Sequence, residues 1–264
     1  MSANNITGAQ QIPIGLAGLV GENNIHLSSP VASIKDSNDG VSVTTTTGKT
    51  FLAKKCIISM PSTMYQDLNI SPPLPPAARE IANSTRLGHY NKAIVCYDTP
   101  WWRDLGYNGF LMSYKGPVIV ARDTSVDEKR FFALTCFVNG RVGERWGEMY
   151  PHERRRVVLD QLADIYGVGA DSPVYQPIEF FDQIWKHEIY SKGALAPITA
   201  LGDLTREDSL YGKPVGNLHF VGTEFSKEWK GYMEGALRSG EQGAKEVAEA
   251  LAAAGTTTLP IHVK

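Results

Sequence analysis

The residues best suited to chemistry lie near the C-terminus. Leu218-His219-Phe220-Val221-Gly222-Thr223-Glu224 is followed by Trp229-Lys230-Gly231-Tyr232-Met233-Glu234-Gly235-Ala236. The pattern is a buried strand, a glycine turn, a carboxylate, and a loop that feeds a helix with an aromatic in front of it. A helix start offers unpaired N–H groups and the positive end of the dipole, which suit an anionic ring carbonyl or a phosphate. A packed strand–loop–helix with two core aromatics accounts for the same residues. Lys92 is the second candidate, inside the apolar run Lys92-Ala93-Ile94-Val95-Cys96-Tyr97. A surface lysine is the ordinary reading, but within such a strand an ammonium needs a partner or an internal water.

Other chemistries are poorly served. His26, His89, His152, His187, His219 and His262 are scattered, without metal-ligand spacing. His219, inside the buried strand, reads as a satisfied core histidine. Gly-x-Ser-x-Gly does not occur, nor does a phosphate loop, and Gly-x-Gly-x-x-Gly follows no strand.

The elements that must position these groups alternate as meanders rather than as strand–helix repeats. A helix is predicted over 11–19, with Pro13 in its first turn and Gly21 beyond its end. Strands follow at 25–34, 41–47 and 50–59, joined by Asn38-Asp39-Gly40 and Gly48-Lys49. Pro72-Pro73-Leu74-Pro75-Pro76 leads into a helix over 77–84. A second set of strands is predicted at 92–97, 110–113, 118–122 and 131–138, then a helix over 151–166 and a strand at 174–181. The last strand is 218–221 and the last helix 231–251. Its residues Met233, Leu237, Gly240, Ala244, Val247 and Leu251 fall on one apolar face.

Composition excludes some partners. With 42% hydrophobic and 20% charged residues and a formal net charge of −2 over 264 residues, neither nucleic acid nor a bilayer is indicated. The apolar tract 248–254 is too short to span a membrane. The polar start, 1–7, lacks a signal-peptide pattern, and Cys56, Cys96 and Cys136 read as free thiols. A cytoplasmic location is expected.

The C-terminal run resembles the flavin-contacting motif of the flavin monoamine oxidase family, fungal type. The resemblance covers nearly the whole chain. It includes Gly8-Ala9-Gln10-Gln11-Ile12-Pro13, Ser29-Pro30-Val31, Ala53–Pro61, Leu87-Gly88-His89-Tyr90-Asn91-Lys92 and Pro100-Trp101-Trp102-Arg103. It implies that Gly222, Thr223 and Glu224 lie along the cofactor and that the N–H groups at Tyr232–Met233 meet the flavin pyrimidine. Tyr232 would be one aromatic wall, next to Trp229, and the Val31 backbone would hold the adenine. Trp185 would line the flavin, and Lys92 would hold a water against the ring and assist reoxidation by oxygen. The family's cysteine for covalent flavin is Ala194 in Ser191-Lys192-Gly193-Ala194, so the FAD is expected to be non-covalent. Leu195 stands where animal members carry an aromatic, which opens one side of the cage that steers an amine.

The resemblance implies an α+β fold. A partial FAD domain is expected from 1–86 and 215–254, a β meander completed by the C-terminal strand and helix. An antiparallel-sheet substrate domain spans 87–214 and a flexible tail 255–264. The dinucleotide fingerprint that should open the family's fold is absent. The expected activity is oxidation of a small amine's C–N bond with FAD and oxygen. A flavin-free isomerase, cyclase or lyase of natural-product metabolism is an alternative, and a non-catalytic partner-binding remnant is another. The expected partners are a small-molecule substrate and either a second copy of the chain or a separate flavin-binding polypeptide.

Overall fold

Residues 8–205 and 210–255 are described by a computed structural model. The polar start at 1–7 and the tail after 255 lie outside the described residues. The first part holds α1 (Gln11–Val20), β1 (Val31–Ser37), β2 (Gly40–Thr45), β3 (Thr50–Ala53), β4 (Cys56–Ile58), β5 (Asn69–Ser71) and α2 (Pro76–Ser84). Next come β6 (Arg86–Gly88), β7 (Tyr90–Tyr97), α3 (Trp101–Asp104), β8 (Leu111–Met112), β9 (Val120–Asp123) and β10 (Phe132–Asn139). The remainder is α4 (Gly140–Glu148), α5 (Pro151–Tyr166), β11 (Glu179–Gln183), β12 (Ala194–Ile198), β13 (Leu218–Phe220) and α6 (Met233–Ala253).

The N-terminal meander forms as its turns dictate. β1, β2 and β3 are antiparallel, and β5 adds to β1 in parallel, giving the order β3-β2-β1-β5. The single strand expected over 50–59 is two. The chain turns at Lys54-Lys55, and β4 leaves the meander to pair with β13 in parallel, Leu218 opposite Cys56 and Phe220 opposite Ile58. No local pattern announces that turn, because both halves are apolar and the break serves a partner far along the chain. Ile34, Val41, Ile58, Ile70, Leu74, Leu218 and Phe220 bury together here. Asp36 fastens the two sheets, its carboxylate accepting from the Asn217 backbone N–H (3.0 Å) and side-chain amide (2.8 Å).

The second core lies under the antiparallel sheet β11-β7-β10-β9-β8. α5 packs across one face of it, with Val158, Leu159 and Leu162 against Ala93, Val95, Leu134 and Cys136. Pro151 starts that helix, and the Glu153 carboxylate accepts the Tyr150 N–H (3.1 Å). Gly167 ends it in the left-handed region (φ 67°). Arg154 on α5 and Asp182 on β11 pair at 2.6 Å, tying the helix to the sheet edge. All three cysteines are free thiols.

Several expectations need correction. The strand expected over 25–34 begins only at Val31, after a 3-10 turn at Glu22–Asn24. The strand expected over 174–181 starts at Glu179, since Pro173–Tyr175 makes another 3-10 turn. α4, β5, β6 and β12 were not expected at all. On α6, the face that packs inward is Gly235, Ser239 and Gly243, while Met233, Leu237 and Ala244 stay exposed. Small residues win because α6 lies so close to the preceding turn and strand that a Cβ at Gly235 would press on the Trp229 carbonyl, and one at Gly243 on Val221.

Candidate active site

The turn Thr223–Phe225 closes the C-terminal end of β13, and Gly222 before it adopts φ 152°, a conformation that favours glycine. Ser239 of α6 accepts the Gly222 N–H (3.0 Å), so helix and turn are locked together. The Thr223 hydroxyl accepts from the Gly231 N–H (2.7 Å) and donates to the Tyr232 carbonyl (2.8 Å). One hydroxyl therefore sets the entry to α6. That helix starts with no side-chain cap, leaving its first N–H groups open. The Trp229 and Tyr232 rings meet edge-on at 6.0 Å, and both are exposed, Tyr232 to 65%.

Glu224 is buried and faces inward. Its carboxylate accepts from the Ser62 N–H (2.8 Å), the Ser62 hydroxyl (2.7 Å) and the Tyr211 hydroxyl (2.6 Å). It thus joins the ends of β4 and β13, the side of a parallel pair at which ligands bind. Burial, with the Glu224 charge added, pushes the Tyr65 and Tyr211 hydroxyls well above the usual phenol range. Both stay neutral, and Tyr211 is the one that donates to Glu224.

β12 brings the other candidates in. It pairs with β6 and touches both β7, which carries Lys92, and the Thr223–Phe225 turn. A Cβ on Gly231 would stand 3.5 Å from that of Ala196, so the loop before α6 lies along β12. Leu195, 66% exposed, follows Ala194 through a cis peptide. Lys92 is half-buried, with its ammonium 5.4 Å from the Phe137 ring centre. Gln183, the last residue of β11, pairs with Lys92, and the half-buried Trp185 follows two residues later. The strand of Lys92, the turn that begins at Thr223 and the Gly231 end of the loop before α6 therefore all meet β12, which carries Ala194 and Leu195. Val31 is placed in the other sheet, at the start of β1.

Sequence reasoning did not find Ser62, Tyr211 or Ser239, which sit in irregular or helical segments and carry no periodic signal. His219 is buried (3% exposed) as expected, but neither ring nitrogen has a hydrogen bond among the described residues. The Glu246 carboxylate is 3.9 Å away. Burial, with nearby Lys55, holds its pKa below the ordinary value. Among the described residues no His/Cys/Asp/Glu group could hold a metal, and no helix is long and apolar enough to cross a membrane.

Known proteins are similar to this chain in sequence and fold. A family model described as flavin containing amine oxidoreductase matches residues 3–248. A probable flavin-containing monoamine oxidase A of Dictyostelium discoideum is 36% identical over 93% of this chain and 53% of its own length. An L-amino acid dehydrogenase of Synechocystis is 34% identical over 91% of the chain and 50% of its own. Cyclohexylamine oxidase from Brevibacterium oxydans superposes with a TM-score of 0.83 at 28% identity, covering 93% of this chain and 53% of that structure. Wild-type putrescine oxidase bound to putrescine gives 0.83 at 26%, with 92% and 53% covered. The chain spans about half the length of the curated relatives it matches. With the match running through both cores and the site between them, the chain belongs to the flavin containing amine oxidoreductase family.

Proposed function

We propose that the whole protein oxidises the C–N bond of a small amine with FAD and oxygen, and that this chain contributes the flavin-ring end of the cofactor site and the substrate sheet. The observation that carries this reading is the convergence at β12 of Lys92's strand with the Thr223–Tyr232 loop. The residues fit a flavin ring. Gly222 and Gly231 let backbone approach closely (φ 152° and 88°), the α6 start offers N–H groups to an anionic carbonyl, and Trp229 and Tyr232 offer flat apolar surface. Flavin, when bound, supplies the two-electron acceptor for the C–N bond.

The chain's own residues then have separable tasks. Tyr232 presents a π face to the ammonium of an approaching amine. Leu195 leaves the opposite side of that approach aliphatic, which broadens access and weakens the grip on the cation. Lys92, held at the Phe137 ring, orients a water toward the ring and supplies positive charge for oxygen reduction. Ala194 has no sulfur, so the cofactor is held without a covalent bond.

The open surfaces support a completing segment. On α1 the apolar residues Ile12, Ile14, Leu16, Leu19 and Val20 are 45–77% exposed, and Met233 and Leu237 are open on α6. Contiguous apolar surface of this kind marks an interface. A dinucleotide-binding unit, within the same polypeptide or on a second one, is the occupant that makes the FAD site whole; a second copy of this chain is the competing occupant. We place the protein in the cytoplasm. The flavin-free and non-catalytic readings draw no support from the relatives. The visible spectrum of the purified protein, with and without added FAD, tests the proposal. Flavin bands that wash away completely on denaturation are expected, and a protein that never takes up flavin, alone or with a family dinucleotide-binding segment, refutes it.

A further inference from the structure

We propose that the cavity between the Ser62–Asp67 turn, β5 and α2 is a second binding site, one for a small apolar carboxylate, and that Arg79 holds its acid group. The site stands apart from the flavin reading. Its lining shares no residue with β12, the Thr223–Tyr232 loop, Lys92 or Trp185.

The local sequence explains why a hollow persists here. Pro72-Pro73-Leu74-Pro75-Pro76 crosses from β5 to α2 with φ fixed at each proline, so this wall cannot sag inward. β5 is held against β1, with Ile70 opposite Ile34. The turn is anchored at its first residue, Ser62, which donates twice to Glu224 (2.8 and 2.7 Å). These walls leave about 210 Å³ between them. Pockets for drug-sized ligands run to about 300–1,000 Å³, so this one suits a smaller molecule.

The lining indicates the class of that molecule. Ile70, Leu74 and Ala82 are buried and give an apolar floor. Tyr65 adds a ring, itself fixed against the Phe220 ring at 5.3 Å. On α2, Arg79, Ala82 and Asn83 are spaced i, i+3 and i+4, so both exposed polar side chains share the face of Ala82 and stand at the rim. Gln66 supplies a second amide from the turn. Among the described residues no acid lines the cavity, and Arg79 makes neither an ion pair nor a hydrogen bond. The Asp67 carboxylate, at the end of the same turn, is already 2.6 Å from the Lys192 ammonium. An unpaired planar fork above an apolar floor matches a carboxylate bidentately, while an aliphatic or aromatic body fills the hollow below. The same charge repels an ammonium, so the cavity rejects the amine class proposed for the flavin site.

The test is titration calorimetry of the purified protein with cyclohexanecarboxylate and with cyclohexylmethanol, the same ring without the charge. A charge-assisted pair predicts that the acid binds one-to-one and about 10-fold or more tightly than the alcohol. Arg79→Gln should bring the two ligands level, and Arg79→Lys should keep part of the difference. Because Arg79 is exposed and unpaired, both variants should melt with the parent. Arg122→Gln removes an arginine on the other sheet, one whose guanidinium lies over the Phe110 ring, and should change neither affinity. An acid that does not bind, that binds no better than the alcohol, or that keeps its advantage in Arg79→Gln overturns the assignment.

Discussion

Replacing Gly235 and Gly240 of α6 by alanine should move stability in opposite directions, although both glycines lie in the same helix. In a helix interior alanine is favoured over glycine by about 1 kcal/mol. At Gly240 an added Cβ meets nothing within 4 Å, so Gly240→Ala should gain close to that amount. For a chain of this size that is a rise of about 2–4 °C in melting temperature. At Gly235 the added Cβ presses on the Trp229 carbonyl and stands 2.9 Å from its carbon and 3.0 Å from the Thr223 hydroxyl. These are backbone and a hydrogen-bonded side chain, neither free to yield. Overpacking of this kind costs about 1–3 kcal/mol, and the helical gain offsets part of it. A net loss of about 1–2 kcal/mol, or roughly 2–8 °C, is expected for Gly235→Ala. Thermal melts of the parent and both variants at one pH decide the matter. If Gly235→Ala melts at or above the parent, or Gly240→Ala below it, the close seating of α6 on the Trp229–Tyr232 loop is wrong.

Lys92→Met should slow reoxidation of the flavin-loaded protein by oxygen much more than its reduction by substrate; equal slowing in stopped-flow traces removes Lys92 from that role. His219 has a lowered pKa in the folded state, so below about 6.5 the unfolded chain takes up a proton that the buried ring resists, and stability falls as pH drops. Above that pH both states are neutral at this residue and it contributes no slope. His219→Phe should therefore flatten the loss of melting temperature between pH 7 and pH 5, and an unchanged slope would show that other groups carry the acid sensitivity. Glu224→Gln should lower the melting temperature by an amount consistent with about 1–3 kcal/mol, because an amide N–H₂ then faces one of the three donors that Glu224 accepts. A neutral effect in the same thermal melts would mean that the Ser62–Tyr211 cluster rearranges freely.

Much of this molecule is written locally. Asn38-Asp39-Gly40 and the alternation around it specify the first hairpin, Pro151 and Gly167 bracket α5, and the run from Leu218 to Ala236 spells strand, turn and helix start. Such signals depend on a few neighbouring residues, and they were enough to place Lys92 on a strand and Tyr232 at a helix entrance. Tertiary structure alone decided where these pieces meet. β4 and β13 are 162 residues apart at the Ser62–Glu224 contact, and nothing near Lys54 indicates that the chain must leave one sheet for another. The inward turn of Glu224 could not be read from Gly222-Thr223-Glu224, because a carboxylate faces whichever donors the fold supplies. α6 shows the reason most clearly: periodicity marks Met233, Leu237 and Ala244 as its apolar stripe, yet Gly235, Ser239 and Gly243 are the residues it buries. A hydrophobic pattern records what a helix would gain by burial somewhere, whereas the distance to its neighbours decides which face can fit.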